Sequence, residues 1–395
     1  MDHSTDTIVT IQINRDTLNT DAMLQMDDNL PLLSELSLKP RDRYKFIRTI
    51  GIGGMKTVLL VHDKDTRRNV ALAMMPDFNN RSNQELSKFI NEALITAKLE
   101  HPNIVPIHDI GLDSNMSPYF VMTFLSGMML SSLLTRMKNG DEETLKFYYA
   151  RKMLLNFQKI CHAVEFAHSQ NILHLDLKPA NVHIGKYGEV QVLDWGLAKV
   201  IDKDLQKEID NKKKTLMPKS AENNKQKEKI VTLGTPGFMA PEQALGKQLD
   251  VRTDVYSLGA ILFSILMLKN PTAFLPNTDT MTILKATIDG SIINNVEMVN
   301  EVRPIPPVLE AICRKAMATN PDDRYQTVKE LRDDIGNYLS NYPTLAESPV
   351  ASRKIVLFVK RNALRFTIFS SFVILAILII VFIYLISLGK IILNF

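Results

Sequence analysis

Two oxygen-bearing side chains in separate segments of the chain are suited to binding a divalent cation. Asn181 ends the run HLDLKPAN, and Asp194 directly follows a short apolar run typical of a buried strand. Carboxylate and amide oxygens are hard ligands, and two of them leave room for the waters and substrate phosphates that Mg²⁺ keeps. Asp176 and Lys178 stand in the same run as Asn181. These residue types are compatible with a magnesium ion, and a further carboxylate and an ammonium group stand close to Asn181 in the sequence.

Five short motifs follow one another in an order that is specific to one enzyme family. They are GIGGMKTV at 51–58, VALAMM at 70–75, HLDLKPAN at 174–181, DWG at 194–196 and APE at 240–242. Protein kinases carry G-x-G-x-x-G-x-V, V-A-I-K, H-R-D-L-x-x-x-N, D-F-G and A-P-E in this order. Over residues 42–340 the chain resembles the eukaryotic-like (Hanks-type) bacterial serine/threonine protein kinases. The phrases LDWGLAK and GTPGFMAPEQ are similar to the membrane-anchored members.

This resemblance implies a role for each polar residue of the two central motifs. Asp176 would accept the proton of a substrate hydroxyl, and Lys178 would neutralise the transferred phosphoryl group. Asn181 and Asp194 would bind Mg²⁺, with Mn²⁺ as an alternative ion, and ATP would be the phosphoryl donor. The resemblance also implies that Asp254 holds the catalytic loop from below. An ion pair between the glutamate of APE and Arg324 would be structural.

The chain departs from the family pattern at the lysine that binds the ATP phosphates. Ala73 stands where V-A-I-K has its lysine, while Lys56 replaces the third glycine of the loop. The with-no-lysine kinases are similar in both places, so we expect Lys56 to reach the phosphates from the second strand and to pair with Glu92. The alternative is a decayed site in a pseudokinase that acts as a nucleotide-binding membrane scaffold or regulator. Retention of the other polar residues, such as Asp176 and Asp194, favours the enzyme.

Further positions are assigned to nucleotide binding by the same resemblance. Glu92 lies in a segment with helical apolar spacing. Met122 lies near the end of a predicted buried strand, at the position of the gatekeeper residue beside the adenine pocket. Ala71 and Ala73 are predicted to face the nucleotide from one side of a strand. The predicted nucleotide-binding residues are Gly51, Gly53, Gly54, Val58, Ala71, Glu92, Met122, Thr123 and Leu125.

The elements that must position these residues define an α+β, bilobal protein-kinase fold. The resemblance implies an antiparallel, β-rich N-lobe over about 42–122 and a mainly α-helical C-lobe over about 127–340, with ATP between them. The polar residues 1–41 are predicted to be a disordered tail, because their few apolar positions cannot form a core.

The activation segment contains an unusually long insert over about 200–230, rich in Lys, Asp, Glu and Asn. Its composition predicts a mobile, solvated loop, either without a partner or attracted to an acidic partner or anionic lipid. Leu175 replaces the arginine that normally precedes the catalytic aspartate, so activity is less expected to require loop phosphorylation. Thr215, Ser220 and Thr232 are candidate autophosphorylation sites.

Composition excludes several other classes of function. The formal net charge is only +4, and the lysines do not gather with aromatic residues, so no nucleic-acid partner is expected. Cys161 and Cys313 lie far apart in apolar surroundings, which predicts buried thiols in a reducing compartment rather than a disulfide. The polar N-terminus carries no pattern typical of a signal peptide.

Residues 366–389 contain no charged side chain and predict a transmembrane helix, because a helix of that length spans about 36 Å against a hydrocarbon core of about 30 Å. The alternative, a buried core helix, would show a polar face. Basic residues crowd the linker 341–365, whereas the tail 390–395 holds only Lys390. This asymmetry predicts a single-pass protein of the cell (inner) membrane with a cytoplasmic kinase domain. Membrane lipid is a predicted partner, the protein substrate is not identifiable, and a homodimer is left open.

Overall fold

The structure is a computed structural model that describes residues 43–76, 81–113, 117–148, 150–216, 234–276, 279–294, 296–300, 302, 304–347 and 351–393. The predicted tail 1–41, the part of the insert from 217 onward and the candidate sites Ser220 and Thr232 lie outside these residues. The chain divides into two compact units, each described by itself. The first consists of residues up to 305 together with 313–332, and the second of 306–312 together with 333–395.

A five-stranded antiparallel sheet begins the first unit. Its strands are β1 (Tyr44–Ile52), β2 (Thr57–Asp63), β3 (Arg68–Met74), β4 (Ile107–Leu112) and β5 (Pro118–Thr123). They lie in the order β1-β2-β3-β5-β4. The register sets Val58 opposite Ala73 and Ala71 opposite Met122. This pairing places the end of the glycine loop, the middle of β3 and the end of β5 side by side.

Apolar residues cover both faces of this sheet. One face buries Tyr44, Val61 and Val121, while the other buries Ala73 and Phe120 under helix α1 (Asn83–Lys98). Helix α1 begins with a capping box, in which Ser82 and Glu85 satisfy each other's backbone N–H groups. Burial of its apolar side fixes the rotation of α1 and turns Glu92 toward the strands.

The rest of the first unit is mainly helical. Its helices are α2 (Leu130–Lys138), α3 (Glu142–Phe147), α4 (Ala150–Ser169), α5 (Lys203–Leu216), α6 (Pro241–Ala244), α7 (Val251–Met267), α8 (Thr280–Ile288) and α9 (Ser291–Asn294). Short strands join them as β6 (Gly127–Met129), β7 (Ile172–Leu173), β8 (Val182–Gly185), β9 (Val190–Val192) and β10 (Lys199–Val200). Nearly every residue of α7 is buried, so α7 is the central helix of this lobe. The predicted bilobal α+β fold is confirmed.

The start of the predicted loop insert is a helix rather than a solvated loop. Asp202 accepts hydrogen bonds from the backbone N–H groups of Asp204 and Leu205, which supplies the first turn of α5 with acceptors. Ile209 is buried, and Lys98 at the end of α1 forms an ion pair with Glu208 at 2.9 Å. The Asp202 cap and the buried Ile209 therefore stabilise a helix in a segment that composition alone predicted to be a solvated loop.

Two helices contain residues of both units, namely α10 (Pro307–Ala316) and α11 (Val328–Leu339). The second unit continues with α12 (Ala351–Arg361), inside the predicted linker, and α13 (Ala363–Leu393). Within the part of the chain that the structure describes, α13 is the one helix long and apolar enough to cross a membrane, with a mean hydropathy of 3.0 over an 18-residue stretch of Ala363–Ile386. Helix α13 contains the whole of the segment 366–389, for which a transmembrane helix was predicted.

Candidate active site

A cavity of about 660 Å³ lies between the five-stranded sheet and the helical lobe. Most of the predicted nucleotide-binding residues line it, as do three residues predicted to bind phosphate or metal. These lining residues are Gly51, Val58, Ala71, Glu92, Met122, Thr123 and Leu125, with Lys56, Asn181 and Asp194. Gly53 and Gly54, predicted to contact nucleotide, are not among the residues that line it. The structure thus brings together positions that are more than a hundred residues apart in the sequence.

Gly53 and Gly54 instead form the turn between β1 and β2. The backbone N–H of Gly53 donates to the carbonyl oxygen of Lys56 at 2.9 Å. A Cβ atom at position 53 would lie 3.3 Å from that oxygen, which is a tight contact. This turn brings Lys56 to the position directly before β2, at the edge of the cavity.

Lys56 connects the two lobes of the site electrostatically. Its ammonium donates to the Glu92 carboxylate and lies 3.7 Å from Oδ1 of Asp194. Burial works against the charge, but the two carboxylates outweigh burial and raise the pKa of Lys56 above its usual value. The site therefore holds a fixed positive charge beside a predicted metal ligand, which is where the phosphates of a nucleotide would require it.

Ala73 is separated from the cavity by packing. Its side chain is fully buried in the cluster formed with Phe89 and Phe120, and it is not among the lining residues. Of the two alanines of β3 that were predicted to face the nucleotide, Ala71 lines the cavity and Ala73 does not. Closely packed rings occupy the space around Ala73 where a lysine of this strand would begin its path to the phosphates.

Glu92 is held in place by its own helix and by Lys56. The Thr96 hydroxyl donates to the Glu92 carbonyl oxygen at 2.6 Å, one turn further along α1. Burial raises the pKa of the Glu92 carboxyl to about 7, although Lys56 acts in the opposite direction. The ion pair therefore depends on pH in the neutral range.

The catalytic loop is fixed from below by Asp254 of α7, as predicted. Its carboxylate accepts the backbone N–H groups of His174 at 2.8 Å and Leu175 at 2.9 Å, and it lies 2.8 Å from Nε2 of His168. Burial opposes its charge, but these hydrogen bonds hold the pKa of Asp254 below its usual value. Leu175 has a φ of 64°, a left-handed conformation that costs free energy for leucine. The two N–H bonds at His174 and Leu175 stabilise this bend.

Asp176 is surrounded by hydrogen-bond donors. The Lys178 ammonium donates to Oδ2 at 2.7 Å, and the Thr235 hydroxyl donates to Oδ1 at 2.6 Å. The Asn181 amide nitrogen donates to the Asp176 carbonyl oxygen at 2.9 Å. Because Asn181 donates through Nδ2, its Oδ1 is the atom suited to a cation. Asp176 and Lys178 are not among the cavity-lining residues but are tied to it through Asn181.

Asp194 is locked to the same loop. The N–H of Leu193, one residue before it, donates to the Asn181 carbonyl oxygen at 2.8 Å. Asp194 itself has a φ of 64°, and the following Trp195 is fully buried with its ring 4.4 Å from that of His174. The carboxylate of Asp194 and the amide oxygen of Asn181 are a donor set that fits Mg²⁺.

Several lining residues were not predicted from the sequence. Arg48, Lys186 and His183 contribute polar atoms to the wall of the cavity. Burial lowers the pKa of His183, which favours its neutral imidazole. His183 lies on β8 two residues after Asn181, and this period of two was the available signal that both side chains share a face.

The predicted structural ion pair is also present in the helical lobe. Both guanidinium terminal nitrogens of Arg324 donate to Glu242 at 2.8 Å. The same guanidinium donates to the carbonyl oxygens of Ala318, Thr319 and Arg252. Every hydrogen bond of this pair lies within the helical lobe, so its role is to fix the segment after the activation loop.

Comparison with known proteins gives a consistent result. The protein kinase domain family matches residues 44–334. The chain is 36% identical over 303 residues to the serine/threonine-protein kinase PknD of Protochlamydia amoebophila, covering 75% of this chain and 30% of that protein. Identity is 36% over 312 residues to PknD of Chlamydia trachomatis serovar D, with 76% and 32% covered. For PknD of Chlamydia felis it is 38% over 307 residues, with 76% and 31% covered. The chain thus spans about a third of the length of these curated relatives.

Proposed function

Because the chain belongs to the protein kinase family, we propose that it is a membrane-anchored enzyme that transfers the γ-phosphoryl group of ATP to serine or threonine hydroxyls of proteins. The observation that carries this proposal is the position of Lys56, in an ion pair with Glu92 and 3.7 Å from Asp194. A charge at this point can replace the lysine that β3 lacks. The PknD relatives are named as serine/threonine-protein kinases, which supports the same specificity.

The proposed roles follow from the hydrogen bonds of each residue. Asp176 orients the substrate hydroxyl and accepts its proton, while Lys178 supplies positive charge beside the acceptor oxygen. Asn181 and Asp194 would hold Mg²⁺, with Mn²⁺ as an alternative. When bound, ATP would supply the phosphoryl group, and Mg²⁺ would neutralise the charge on the phosphates. Lys56 stabilises the phosphates, and Glu92 fixes the position of the Lys56 ammonium.

A pseudokinase is the second candidate, favoured by Ala73 and by the rings packed around it. Such a protein would bind nucleotide through the same cavity and act as a scaffold or regulator at the membrane. Nucleotide binding alone does not separate the two candidates, because the cavity and the metal ligands serve both. Phosphoryl transfer separates them.

The decisive experiment compares the detergent-solubilised full chain with its Asp176→Asn variant. Each protein receives radiolabelled ATP, myelin basic protein as a generic acceptor, and either Mg²⁺ or Mn²⁺. We expect labelled phosphoserine or phosphothreonine from the wild type and a decrease of about 10²–10⁴-fold in the variant. Wild type that binds ATP without transferring phosphate, or label that does not depend on Asp176, would support the pseudokinase.

The membrane attachment is proposed from α13. The exposed side chains described for α13 are mostly apolar. Five basic residues precede its uncharged segment 366–389, which predicts that the kinase domain stays in the cytoplasm. We expect the full chain to resist extraction from membranes by alkaline carbonate. Recovery in the soluble fraction would contradict the anchor without affecting the proposed activity.

A further inference from the structure

The short helix α12 exposes its apolar side rather than burying it. Ile355, Val356, Phe358 and Val359 are each 44–64% exposed, whereas Leu357 is 7% exposed. Ile355, Phe358 and Val359 are three or four residues apart, so they share one face of the helix. This surface, with Val356 at its edge, is called the outer face below. A helix of a soluble domain normally turns such a face toward the core.

The opposite side of α12 carries the basic residues. Lys360 and Arg361 lie three and four residues after the buried Leu357, and so belong to its side of the helix. The Arg361 guanidinium lies 4.1 Å from the centroid of the Tyr342 ring, a cation–π contact. Packing thus fixes the rotation of α12, with Leu357 inward and the outer face outward.

Helix α12 leads almost without interruption into α13. Asn362 alone separates them, and its side chain and backbone N–H both donate to the Phe358 carbonyl oxygen. The rings of Phe358 and Phe366 pack edge to face, with centroids 6.2 Å apart. The outer face therefore continues into the helix proposed to cross the membrane, at the end where the bilayer surface must lie.

The charges around this face have a single sign. No aspartate or glutamate occurs in residues 348–395, so the charged side chains of this segment are all basic. Cationic side chains flanking an apolar face fit the boundary between anionic headgroups and acyl chains, where apolar residues enter the lipid and basic residues remain at the headgroups. The basic residues of the segment are Arg353, Lys354, Lys360, Arg361, Arg365 and Lys390.

From these observations we infer that α12 is a lipid-binding helix whose outer face inserts into the anionic cytoplasmic leaflet. This inference rests on the proposed membrane anchor and goes beyond it, because it assigns a second lipid contact to a segment that sequence composition described as a linker. Held there by its Arg361–Tyr342 contact, α12 would fix the second unit at the bilayer surface.

The test uses the full chain reconstituted in nanodiscs of phosphatidylcholine, with or without phosphatidylglycerol. Cys161 and Cys313 are buried, so a nitroxide label can be directed to single new cysteines at Ile355→Cys, Lys360→Cys or Ile377→Cys. Collision with oxygen reports lipid exposure, and collision with a water-soluble nickel chelate reports water exposure. Retained phosphoryl transfer, or retained nucleotide binding, verifies that each variant is folded.

In the anionic nanodiscs we expect the Ile355 label to behave like the Ile377 label, with several-fold lower nickel accessibility than the Lys360 label. An Ile355 label exposed to nickel while Ile377 is in lipid overturns the inference and leaves the anchor intact. An Ile355 label shielded from both reagents also overturns it, since protein then covers the face. An Ile377 label exposed to nickel overturns the anchor and the inference together.

A charge-removal variant tests the lipid class. With Lys360→Gln and Arg361→Gln combined, the Ile355 label should gain nickel accessibility in anionic nanodiscs, toward the level that wild type shows in pure phosphatidylcholine. If neither the variant nor the change of lipid alters the Ile355 label, binding to anionic lipid is overturned. The Ile377 label should remain in lipid throughout and serves as the internal control.

Discussion

The two halves of the candidate active site differ in how closely they follow the family pattern. On the helical side, Asp176, Lys178, Asn181 and Asp194 all stand at motif positions. On the strand side, the motif position is taken by Ala73, and the ammonium comes from Lys56, in the turn before the neighbouring strand. One half matches the family pattern in both residue and position, whereas in the other half the proposed phosphate-binding charge stands at a different position.

The difference follows from how each half is held. Asp176 is fixed by donors from Lys178, Thr235 and Asn181, and its backbone follows a bend that Asp254 stabilises. Few other positions could satisfy these short, directional contacts. A phosphate-binding ammonium has looser requirements, because a flexible side chain can reach one point from several backbone positions. The catalytic loop is therefore constrained residue by residue, and the phosphate side is constrained by charge.

On the strand side, the largest effect should come from removing the charge of Lys56. With Lys56→Met we expect kcat to fall by about 10²–10³-fold, as when one preorganised group that stabilises transition-state charge is lost. The assay is steady-state transfer to myelin basic protein over a range of ATP concentrations. Lys64→Met, at the exposed end of the β2 hairpin, is the matched control and should retain full activity. Unchanged kcat in Lys56→Met would mean that the strand side contributes no essential cation.

Moving the charge back to β3 tests the comparison from the other direction. In the double variant Lys56→Gly with Ala73→Lys, we expect about tenfold recovery over Lys56→Gly alone, because a lysine on β3 can again pair with Glu92. Recovery should be incomplete, since Phe89 and Phe120 crowd position 73. The melting temperature of each variant separates poor packing from poor catalysis. No recovery in a well-folded double variant would show that the cavity now accepts the charge from the β2 side only.

The same contrast explains how much could be predicted from sequence. The bilobal fold, Asp254 under the catalytic loop and the pair of Glu242 with Arg324 were all predictable, because each belongs to a motif of fixed spacing. The packing of Phe89 and Phe120 against Ala73 was not predictable. Alternation along a strand indicates which side of the sheet a residue faces, but not which side chains pack against it. Arg48, Lys186 and His183 were missed for a related reason, because three separate elements bring them to one cavity.

Glu92 makes the strand side sensitive to pH. Its carboxyl, with a pKa raised to about 7 by burial, takes up a proton as the pH falls through neutrality, and the ion pair with Lys56 weakens. We expect kcat/KM to decrease below pH 7, by up to about tenfold for each pH unit. The Glu92→Gln variant should be less active at pH 8 and should lack this part of the profile. If kcat/KM decreases below pH 7 in the same way in both proteins, the decrease is caused by a group other than Glu92.

Protonation of Glu92 should increase the stability of the folded protein, whereas it should decrease the activity. The folded-state pKa of Glu92 lies above its ordinary value of 4.5, so the folded protein binds more protons than the unfolded chain between these two pH values. The contribution of Glu92 to the free energy of unfolding is therefore greatest at low pH and decreases as the pH rises through this range. Denaturant titrations from pH 5 to pH 8 on wild type and Glu92→Gln can isolate the term. A parallel loss of activity and stability below pH 7 would instead indicate acid unfolding.

The smallest effect should come from α5, which supports the strand side from outside the cavity. Ile209 is buried, and Glu208 pairs with Lys98 at the end of the helix that carries Glu92. With Ile209→Asp we expect α5 to detach from α1 and kcat to fall by about fivefold, a magnitude typical of weak coupling between sites. Ile201→Asp, at an exposed isoleucine shortly before the same helix, is the matched control. Equal decreases of kcat in both variants would show that packing of α5 against α1 does not affect catalysis. A selective loss at Ile209 would show that the phosphate-side charge depends on the helix behind Glu92, as the catalytic loop depends on Asp254 beneath it.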